Sequence, residues 1–480
     1  MLEPLVRANV SRLHALYDHF PAPARTIMTS ARGWLLSNIR YSANTFRYLE
    51  ELRRHDNWTA DEIATYQLKS LQQSVSHAQA TVPYYKDDPA IDIRSFDDLK
   101  RLPVLERETV RTRPEQFLSS SVSSYKRIRA GTTGTTGGNL KVAYTEKLAS
   151  ANWAILLRQW AWAGVRPLHS RVTFFGAKIV PNHCRKPPYW TSNLIERQTL
   201  MSIFHLSPQT APDYLEFLRT RSESILEGFP SVLSILADFV LQTGLTIPMR
   251  VAFTSGEPLY PWIREKVEGA FQTRIYDSYG MTEYCGAIQQ CAHGQMHLIP
   301  EFGYLEILDK NNEPVRNGEE GFFVWTGFLN AAMPLVRYKI GDRGRWQPGG
   351  PCGCGLNFPL VIPTITRESE ILRCTDGRLL SPRALNQILK ETSSLRACQF
   401  VHDRPERVIV RAVSSNGKGP EEMMQVRLKL EQLLGPSMRV TAEIATQPVI
   451  LPGGKIPLII NMMPRELAGE QAQQSHRAQR

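Results

Sequence analysis

The sequence has too little cysteine for a disulfide scaffold, and it has no long apolar run. Its 480 residues include seven Cys, an odd number, whereas disulfide-rich proteins are short and carry many paired cysteines. No stretch of about 18 apolar residues occurs, and charged side chains interrupt the first 20 residues, which is unlike a secretory signal peptide. We therefore expect a cytoplasmic protein with reduced thiols and no integral membrane segment.

A concentrated basic tract is also missing, although the net charge is +11. The 57 Lys and Arg residues are scattered among 46 Asp and Glu. This dispersal is typical of a solvated surface or of a phosphate-rich ligand site, and it argues against nucleic acid as a partner. A hydrophobic share of 42%, with 31 Gly and 32 Pro, is ordinary for a globular chain and excludes disordered and collagen-like classes.

The first 60 residues are predicted to form a helical extension. Residues 1–56 carry Arg but no Lys, so two alternatives stay open: a helix on a membrane surface, or a helix docked on the rest of the protein. A further amphipathic helix is predicted over residues 66–78, and it should end before Pro83 because proline disfavours helix in the residue that precedes it.

Strand-like and helix-like patterns alternate over residues 170–280, which predicts a parallel sheet covered by helices on both faces. Several strands then follow one another over residues 301–346, as in an antiparallel or barrel-like appendage. We predict an α/β fold with a large N-terminal domain at 61–366. A small α+β domain at 367–465 and a flexible tail at 466–480 complete the organisation.

The strongest local motif is RAGTTGTTGG at residues 129–138. Glycines let the backbone bend so that several N–H groups converge on one anion, and the threonines add hydroxyl donors. The motif is not a Walker A loop, because no Gly-Lys-Ser/Thr follows. By itself it is equally compatible with a mobile polar loop.

Four weaker motifs follow along the chain, two of them after predicted parallel strands. In an open α/β sheet, ligands bind at the carboxyl ends of such strands. The carboxylates at positions 283 and 342 are suited to Mg²⁺ and to ribose hydroxyls, respectively, although a Gly-Asp pair alone is more often a turn. The motifs are SGEP at 255–258, YDSYGMTE at 276–283, YKIGD at 338–342 and PGGK at 452–455.

In this order, the motifs resemble the adenylate-forming superfamily of acyl-CoA synthetases, peptide-synthetase adenylation domains and luciferases. More narrowly, the chain resembles the phenylacetate–CoA ligase and CapK-like branch, over about residues 60–465. The narrower resemblance depends on HA at 77–78 with VPYY at 82–85, LP at 102–103, FHLS at 204–207, GFPS at 228–231 and PCGCG at 351–355.

The resemblance implies a nucleotide-binding role for the first motifs. The loop threonines would hold the β- and γ-phosphates of ATP with Mg²⁺, and the 255–258 turn would line the adenine. The residues concerned are Thr132, Thr133, Thr135, Ser255, Gly256, Glu257 and Pro258.

The same resemblance assigns the remaining site residues. Tyr279 would stack near the base beside Gly280, Thr282 would touch the α-phosphate, and Glu283 would ligate Mg²⁺. Because a carboxylate attacking the α-phosphorus brings anions together, fixed positive charge and a metal ion must neutralise them.

The implied site also includes residues from the second half of the chain. Asp342 would bind the ribose hydroxyls, assisted by Arg367, and Lys455 would bridge the carboxylate substrate and the α-phosphate. The chain departs from the family pattern at Ala130 and Thr136 in the loop. It also departs at Ser369, where relatives have the hinge acid.

Four residues have the chemistry of a zinc site. Cys291 and His297 are spaced C-x5-H, and Cys352 and Cys354 are spaced C-x-C. Three thiolates and one imidazole form a closed tetrahedral ligand set, and some proteins that the chain resembles hold a structural zinc in such segments. His293 is the alternative imidazole, and four unconnected residues are the alternative to a metal site.

The resemblance implies an ATP-dependent acid–thiol ligase. A small-molecule carboxylic acid, aromatic or otherwise apolar, would react with MgATP to give an acyl-adenylate, and the acyl group would pass to CoA. An amine or a carrier-protein thiol is the alternative acceptor, and a non-catalytic nucleotide-binding protein is the alternative class. The oligomeric state is open, with a homodimer as one alternative.

Overall fold

A computed structural model of the chain describes most of the sequence, with gaps. The described residues are 17, 20–86, 91–131, 140–175, 179–181, 183–207, 209–257, 259, 261–363, 372–376, 378–380, 385, 388, 389, 395–414, 419–446, 449 and 458–462. The helices are α1 (Ala22–Arg40), α2 (Ala43–His55), α3 (Ala60–Thr81), α4 (Arg107–Thr112), α5 (Glu146–Trp162), α6 (Ala211–Arg219), α7 (Pro230–Gln242), α8 (Pro261–Phe271) and α9 (Gly419–Leu434).

The strands belong to two large sheets, one smaller sheet and two short ladders. They are β1 (Leu105–Glu106), β2 (Ile128–Gly131), β3 (Lys141–Tyr144), β4 (Arg171–Phe174), β5 (Trp190–Asn193), β6 (Gln198–Met201), β7 (Ile225–Gly228), β8 (Val251–Ser255), β9 (Ile275–Gly280), β10 (Ala287–Gln290), β11 (Met296–Leu298), β12 (Gly303–Leu308), β13 (Gly321–Gly327), β14 (Tyr338–Trp346), β15 (Val361–Pro363), β16 (Leu372–Arg373), β17 (Leu379–Leu380), β18 (Leu395–Arg404), β19 (Arg407–Ser414), β20 (Arg439–Ile444) and β21 (Ile459–Asn461).

Local sequence signals set both ends of α3. The Thr59 hydroxyl accepts a hydrogen bond from the Glu62 N–H at 3.2 Å, and the Glu62 carboxylate accepts one from the Thr59 N–H at 2.8 Å, which is a capping box. The helix ends at Thr81 because Val82 is extended ahead of Pro83. The helix predicted there, with its end before Pro83, is confirmed.

The larger sheet has eight strands in the order β11-β10-β9-β8-β7-β4-β6-β5. The five strands β6, β4, β7, β8 and β9 are parallel. Antiparallel strands flank them on both sides, with β5 at one edge and β10 and β11 at the other. The predicted alternation of parallel strands and helices is confirmed.

Helices cover both faces of this sheet, as the alternation of side chains along its strands requires. In β8, Val251 and Phe253 pack into the core formed with α2 and α5. Ala252, between them, packs into the core formed with α6, α7 and α8. The sheet is therefore buried on both sides, which is the arrangement expected for an α/β fold.

A second sheet has the order β1-β14-β13-β12, with β15 also paired to β14. All of its pairs are antiparallel except that of β1 with β14, so the strand-rich appendage predicted over 301–346 is confirmed. A further four-stranded sheet, β20-β19-β18-β21, packs against α9. Four apolar residues at helical spacing on α9 are all buried: Met423, Val426, Leu430 and Leu433.

The two N-terminal helices lie against the large sheet unit. α1 packs on the edge strand β5 and α2 packs on α5, and Arg40 forms an ion pair with the buried Glu196 at 2.7 Å. The described part of residues 1–60 is thus docked helix. None of the described helices combines the length and apolar composition needed to cross a bilayer. The domain boundaries at 60, 366 and 465 stay predictions, and residues 466–480 lie outside the described part of the chain.

Candidate active site and candidate metal centre

Two of the predicted nucleotide segments lie side by side at the carboxyl edge of the parallel sheet. Strand β7 ends opposite β8, with Gly228 paired to Thr254, and β8 ends opposite β9, with Ser255 paired to Ser278. The turn after β8 therefore adjoins the end of β9. Gly256 in that turn has φ of +80°, a conformation that glycine adopts without strain.

Tyr279 and Asp342 come from different sheets and meet at this edge. The Tyr279 hydroxyl donates a hydrogen bond to Asp342 Oδ2 at 2.7 Å. Burial, followed by the adjacent Asp342 carboxylate, raises the pKa of Tyr279 well above its usual value, so the phenol keeps its proton and acts as the donor. Open space lies beside the Cα of Gly280. An aromatic face, a carboxylate and open space thus adjoin one another, as a nucleoside site requires.

Glu283 is the most enclosed of the predicted active-site carboxylates, with a side chain only 2% exposed. Its Oε1 accepts hydrogen bonds from Arg107 Nη1 at 2.6 Å and from the Tyr338 hydroxyl at 2.9 Å. Burial and the neighbouring Glu283 carboxylate raise the pKa of Tyr338 far above its usual value, so this phenol also remains a donor. The buried carboxylate is therefore paired, as buried charges must be.

Sequence reasoning missed both partners of Glu283. Tyr338 belongs to the predicted 338–342 motif, but only its aspartate was assigned a role. Arg107 lies in no motif, and the parallel pairing of β1 with β14 brings it to the site, because Leu105 and Glu106 lie opposite Tyr338 and Lys339.

The turn that carries Thr282 and Glu283 has an unusual backbone. Tyr284, the next residue, has φ of +56°, which is uncommon for a residue with a side chain and typical of functional sites. The Tyr284 N–H donates to the Met281 carbonyl at 3.1 Å and closes the turn. Thr282 is half-buried on this turn.

Several predicted site residues lie outside the described part of the chain: Thr132, Thr133, Thr135, Pro258, Arg367 and Lys455. The described residues on either side of 132–139 are Gly131, which ends β2, and Leu140, which precedes β3. Tyr144, at the end of β3, lies with its ring centroid 5.1 Å from that of Tyr284. The β2–β3 hairpin therefore adjoins the turn that carries Glu283.

Two phenylalanines close to the carboxyl edge lie on opposite faces of the large sheet. Phe229 and Phe253 both follow or lie in parallel strands, but Phe229 packs into the core on one face of the sheet and Phe253 into the core on the other. The Phe253 ring lies against Trp160, with centroids 5.9 Å apart. Because the two phenylalanines face opposite sides, they do not form one acyl pocket.

The four predicted zinc ligands come together at the edge of the large sheet. The ligand atoms of Cys291, His297, Cys352 and Cys354 all lie within 4.8 Å of one another. Sγ of Cys291 is 3.7 Å from Sγ of Cys352, and Sγ of Cys354 is 3.4 Å from Nε2 of His297. A tetrahedral ion with Zn–S bonds of about 2.3 Å separates two sulfurs by about 3.8 Å, so the described geometry fits zinc.

The imidazole of this group is held in the orientation that a metal ligand needs. Nδ1 of His297 lies 3.0 Å from the Phe358 carbonyl oxygen, and donation from this nitrogen leaves the Nε2 lone pair directed at the thiols. Burial lowers the pKa of His297, which favours the neutral ring that binds metals. The structure therefore selects His297 over the alternative, His293.

Comparisons with known proteins agree with this geometry. No protein-family model matches the chain. The protein CapK of Staphylococcus aureus is 21% identical over 460 residues, covering 94% of this chain and 99% of CapK. The phenylacetate–coenzyme A ligase of Thermus thermophilus is 23% identical over 345 residues, covering 65% of this chain and 72% of the ligase.

Among solved structures, 2-hydroxyisobutyryl-CoA ligase in complex with 2-HIB-AMP and CoA aligns with a TM-score of 0.57. The sequence identity is 19%, and the alignment covers 88% of this chain and 94% of the ligase. The chain has the adenylate-forming fold. The resemblance predicted from the five motifs, and the narrower resemblance to phenylacetate–CoA ligases and CapK predicted from the other quoted segments, are confirmed.

In this fold, the described site residues lie together at the carboxyl edge of the large sheet. Ser255 and Tyr279 lie at the carboxyl ends of two neighbouring parallel strands, Glu283 follows the second of them, and Asp342 joins them from the second sheet. Ligands of open α/β sheets bind at this carboxyl edge. The assignment of each residue to a part of the nucleotide stays a prediction.

Proposed function

We propose that the protein is an ATP-dependent ligase that activates a carboxylic acid as an acyl-adenylate and transfers the acyl group to CoA. The observation that carries the proposal is the meeting of Tyr279, Asp342 and Glu283 at the carboxyl edge of an adenylate-forming fold. The relatedness to phenylacetate–coenzyme A ligases over most of the chain supports it.

In the first step, a carboxylate oxygen of the acid attacks the α-phosphorus of ATP, and the bond to the leaving pyrophosphate breaks. Asp342 would accept hydrogen bonds from the ribose hydroxyls, Tyr279 would pack on the adenine, and Thr282 would donate to the α-phosphate. Mg²⁺ held by Glu283 would neutralise phosphate charge. Lys455 would stabilise the reacting anions as a mobile point charge.

In the second step, the CoA thiolate attacks the acyl carbon and AMP leaves. We propose that the small domain, residues 367–465, turns about residues 367–370 to remove Lys455 and admit the thiol. An aromatic or otherwise apolar acid is the proposed substrate class, and an amine or a carrier-protein thiol is the alternative acceptor.

Pyrophosphate exchange with a panel of carboxylic acids tests the first step, and the same reaction with CoA or amines tests the second. Lys455→Ala should slow adenylate formation by orders of magnitude while sparing thioester formation from a supplied acyl-adenylate. Glu216→Gln, which removes an exposed acidic group far from the site, is the control. Absence of exchange with every acid class would contradict the proposal.

We further propose that Cys291, His297, Cys352 and Cys354 hold a structural zinc. Such a closed site has no position for substrate, and it would tie the loop before β15 to strands β10 and β11. Elemental analysis should find about one zinc per chain, and Cys352→Ser should lower both zinc content and thermal stability. Cys398→Ser, a buried cysteine in β18, is the control. A stable, active preparation free of zinc would contradict this proposal.

A further inference from the structure

Among the described residues, the carboxylate of Glu283 is held through only one of its two oxygens. Oε1 accepts from both Arg107 Nη1 and the Tyr338 hydroxyl, and Arg107 Nη1 also lies 3.3 Å from that hydroxyl. The three groups thus form a closed triangle around Oε1. Within the described residues, no hydrogen bond reaches Oε2.

The fold builds this triangle from three distant segments. The parallel pairing of β1 with β14 sets residue 105 opposite Tyr338, so the chain reaches Arg107 one residue beyond the paired strand. Tyr338 is fully buried at the start of β14, and Glu283 arrives from the turn after β9. Because each partner sits at the end of a strand in a packed sheet, the position of Oε1 is well determined.

A carboxylate fixed in this way can offer a cation one oxygen and no more. Mg²⁺ demands nearly ideal octahedral geometry and is bound through single carboxylate oxygens. Ca²⁺ accepts more ligands and takes carboxylates through one or both oxygens. An occupied Oε1 therefore matches Mg²⁺ and excludes two-oxygen chelation.

We propose that Arg107 and Tyr338 are positioning residues that hold Glu283 as a one-oxygen ligand and thereby favour Mg²⁺ over Ca²⁺ at the nucleotide. The inference rests on the proposed function, in which Glu283 binds the metal ion of MgATP. Under this proposal, Arg107 and Tyr338 influence which metal ion binds, in addition to pairing with the buried Glu283 carboxylate.

Tyr338→Phe is the sharper variant, since it removes one hydroxyl and no charge. Removing a hydrogen-bond partner of a metal ligand typically lowers metal affinity 10- to 100-fold. We therefore expect Mn²⁺ to bind the Tyr338→Phe enzyme–ATP complex about 10-fold more weakly than it binds the wild-type complex, as measured by electron paramagnetic resonance. Arg107→Met should lose less affinity, because removing a cation near the metal offsets part of the loss. Arg107→Lys should restore part of the Mn²⁺ affinity that Arg107→Met loses.

The ratio of Mg²⁺ to Ca²⁺ affinity for the enzyme–ATP complex separates positioning from folding. It should fall in Tyr338→Phe and Arg107→Met, because a freed Oε1 can join Oε2 on the larger ion. Arg111→Met is the matched control: Arg111 lies in the same short helix but pairs with Glu108, so the ratio should not change.

The outcomes distinguish this inference from the proposed function. If Glu283→Gln leaves metal binding to the enzyme–ATP complex unchanged, the proposed role of Glu283 is wrong. If Glu283→Gln abolishes it but Tyr338→Phe and Arg107→Met keep the wild-type ratio, only the positioning inference is overturned. Should Arg107→Met fail to fold, Tyr338→Phe decides alone, because the loss of one hydroxyl is tolerated by the packing around it.

Discussion

Two buried glutamates of this protein are paired with arginine in different ways. Glu301, whose side chain is 4% exposed, has both oxygens occupied: Arg158 Nη1 and His55 Nδ1 lie 2.7 and 3.1 Å from Oε1, and Arg158 Nη2 donates to Oε2 at 3.2 Å. Glu283 is as deeply buried, yet both of its partners are on Oε1.

The difference distinguishes a structural ion pair at Glu301 from a carboxylate at Glu283 whose Oε2 is available to a ligand. A fork-to-fork arginine–carboxylate pair satisfies both oxygens and has nothing left to bind. At Glu301 it ties α2 to α5 and to the loop before β12, since His55 ends α2 and Arg158 lies in α5. At Glu283 one oxygen has no hydrogen-bond partner among the residues that the structure describes.

The largest effect is expected from breaking the structural pair. Arg158→Met leaves Glu301 buried without its cation, and removing one partner of a buried ion pair costs about 3–5 kcal/mol. Denaturant titration should show this loss in the free energy of unfolding. A loss below about 1 kcal/mol would mean that Glu301 is hydrated or neutral, and the contrast with Glu283 would fail.

Glu283→Gln should show the reverse pattern. We expect pyrophosphate exchange to fall about 100- to 1000-fold, because a metal ligand at the reacting phosphates is lost. The stability loss should be only about 1–2 kcal/mol, since Arg107 is partly exposed to solvent. Glu301→Gln is the matched variant. It should lower the free energy of unfolding more than Glu283→Gln does, and it should reduce the pyrophosphate exchange rate of the folded protein less.

Acid titration sharpens the comparison further. Burial raises the pKa of Glu301, but Arg158 and His55 outweigh it and lower the pKa to about 2. Since the folded-state pKa lies below the unfolded value, this group stabilises the fold above about pH 4.5. Its contribution, about 3 kcal/mol, is lost as the pH falls towards 2. In Arg158→Met the burial remains without the cation, so acid unfolding followed by circular dichroism should shift to higher pH.

The smallest effect is expected at an exposed pair. Arg54 and Glu50 lie one turn apart on α2, 3.1 Å from each other, with both side chains largely in solvent. Arg54→Met should change the free energy of unfolding by only about 0.3–0.5 kcal/mol. A change as large as that of Arg158→Met would show that burial is not what distinguishes these ion pairs.

Periodic and contiguous patterns of the sequence were sufficient for much of the fold. The helix predicted over 66–78 follows from its apolar spacing, and its end follows from Pro83. The α9 face follows from Met423, Val426 and Leu430 at helical intervals. The parallel strands at 225–228 and 251–255 follow from short apolar runs between helices. These features depend on neighbours in the chain, so local physics decides them.

The candidate site was predictable where a motif carried its own chemistry, as at Tyr279, Glu283 and Asp342. It was not predictable at Arg107, which no motif marks. Strand alternation predicts that Phe253 and Ala252 point to opposite faces of the sheet, but it does not show which helices cover each face.

The sequence by itself determined many of the elements, their order, the chemistry of the five motifs and the four candidate ligands of a zinc site. The tertiary structure decided which of them meet. It chose His297 over His293 because β11 directs that ring at the thiols and the Phe358 carbonyl fixes its tautomer. It joined Glu283 to Arg107 and Tyr338, which lie 176 and 55 residues away. Such contacts depend on strand pairing across long separations, and hydrogen bonds between residues that far apart leave no trace in the local pattern of a single chain.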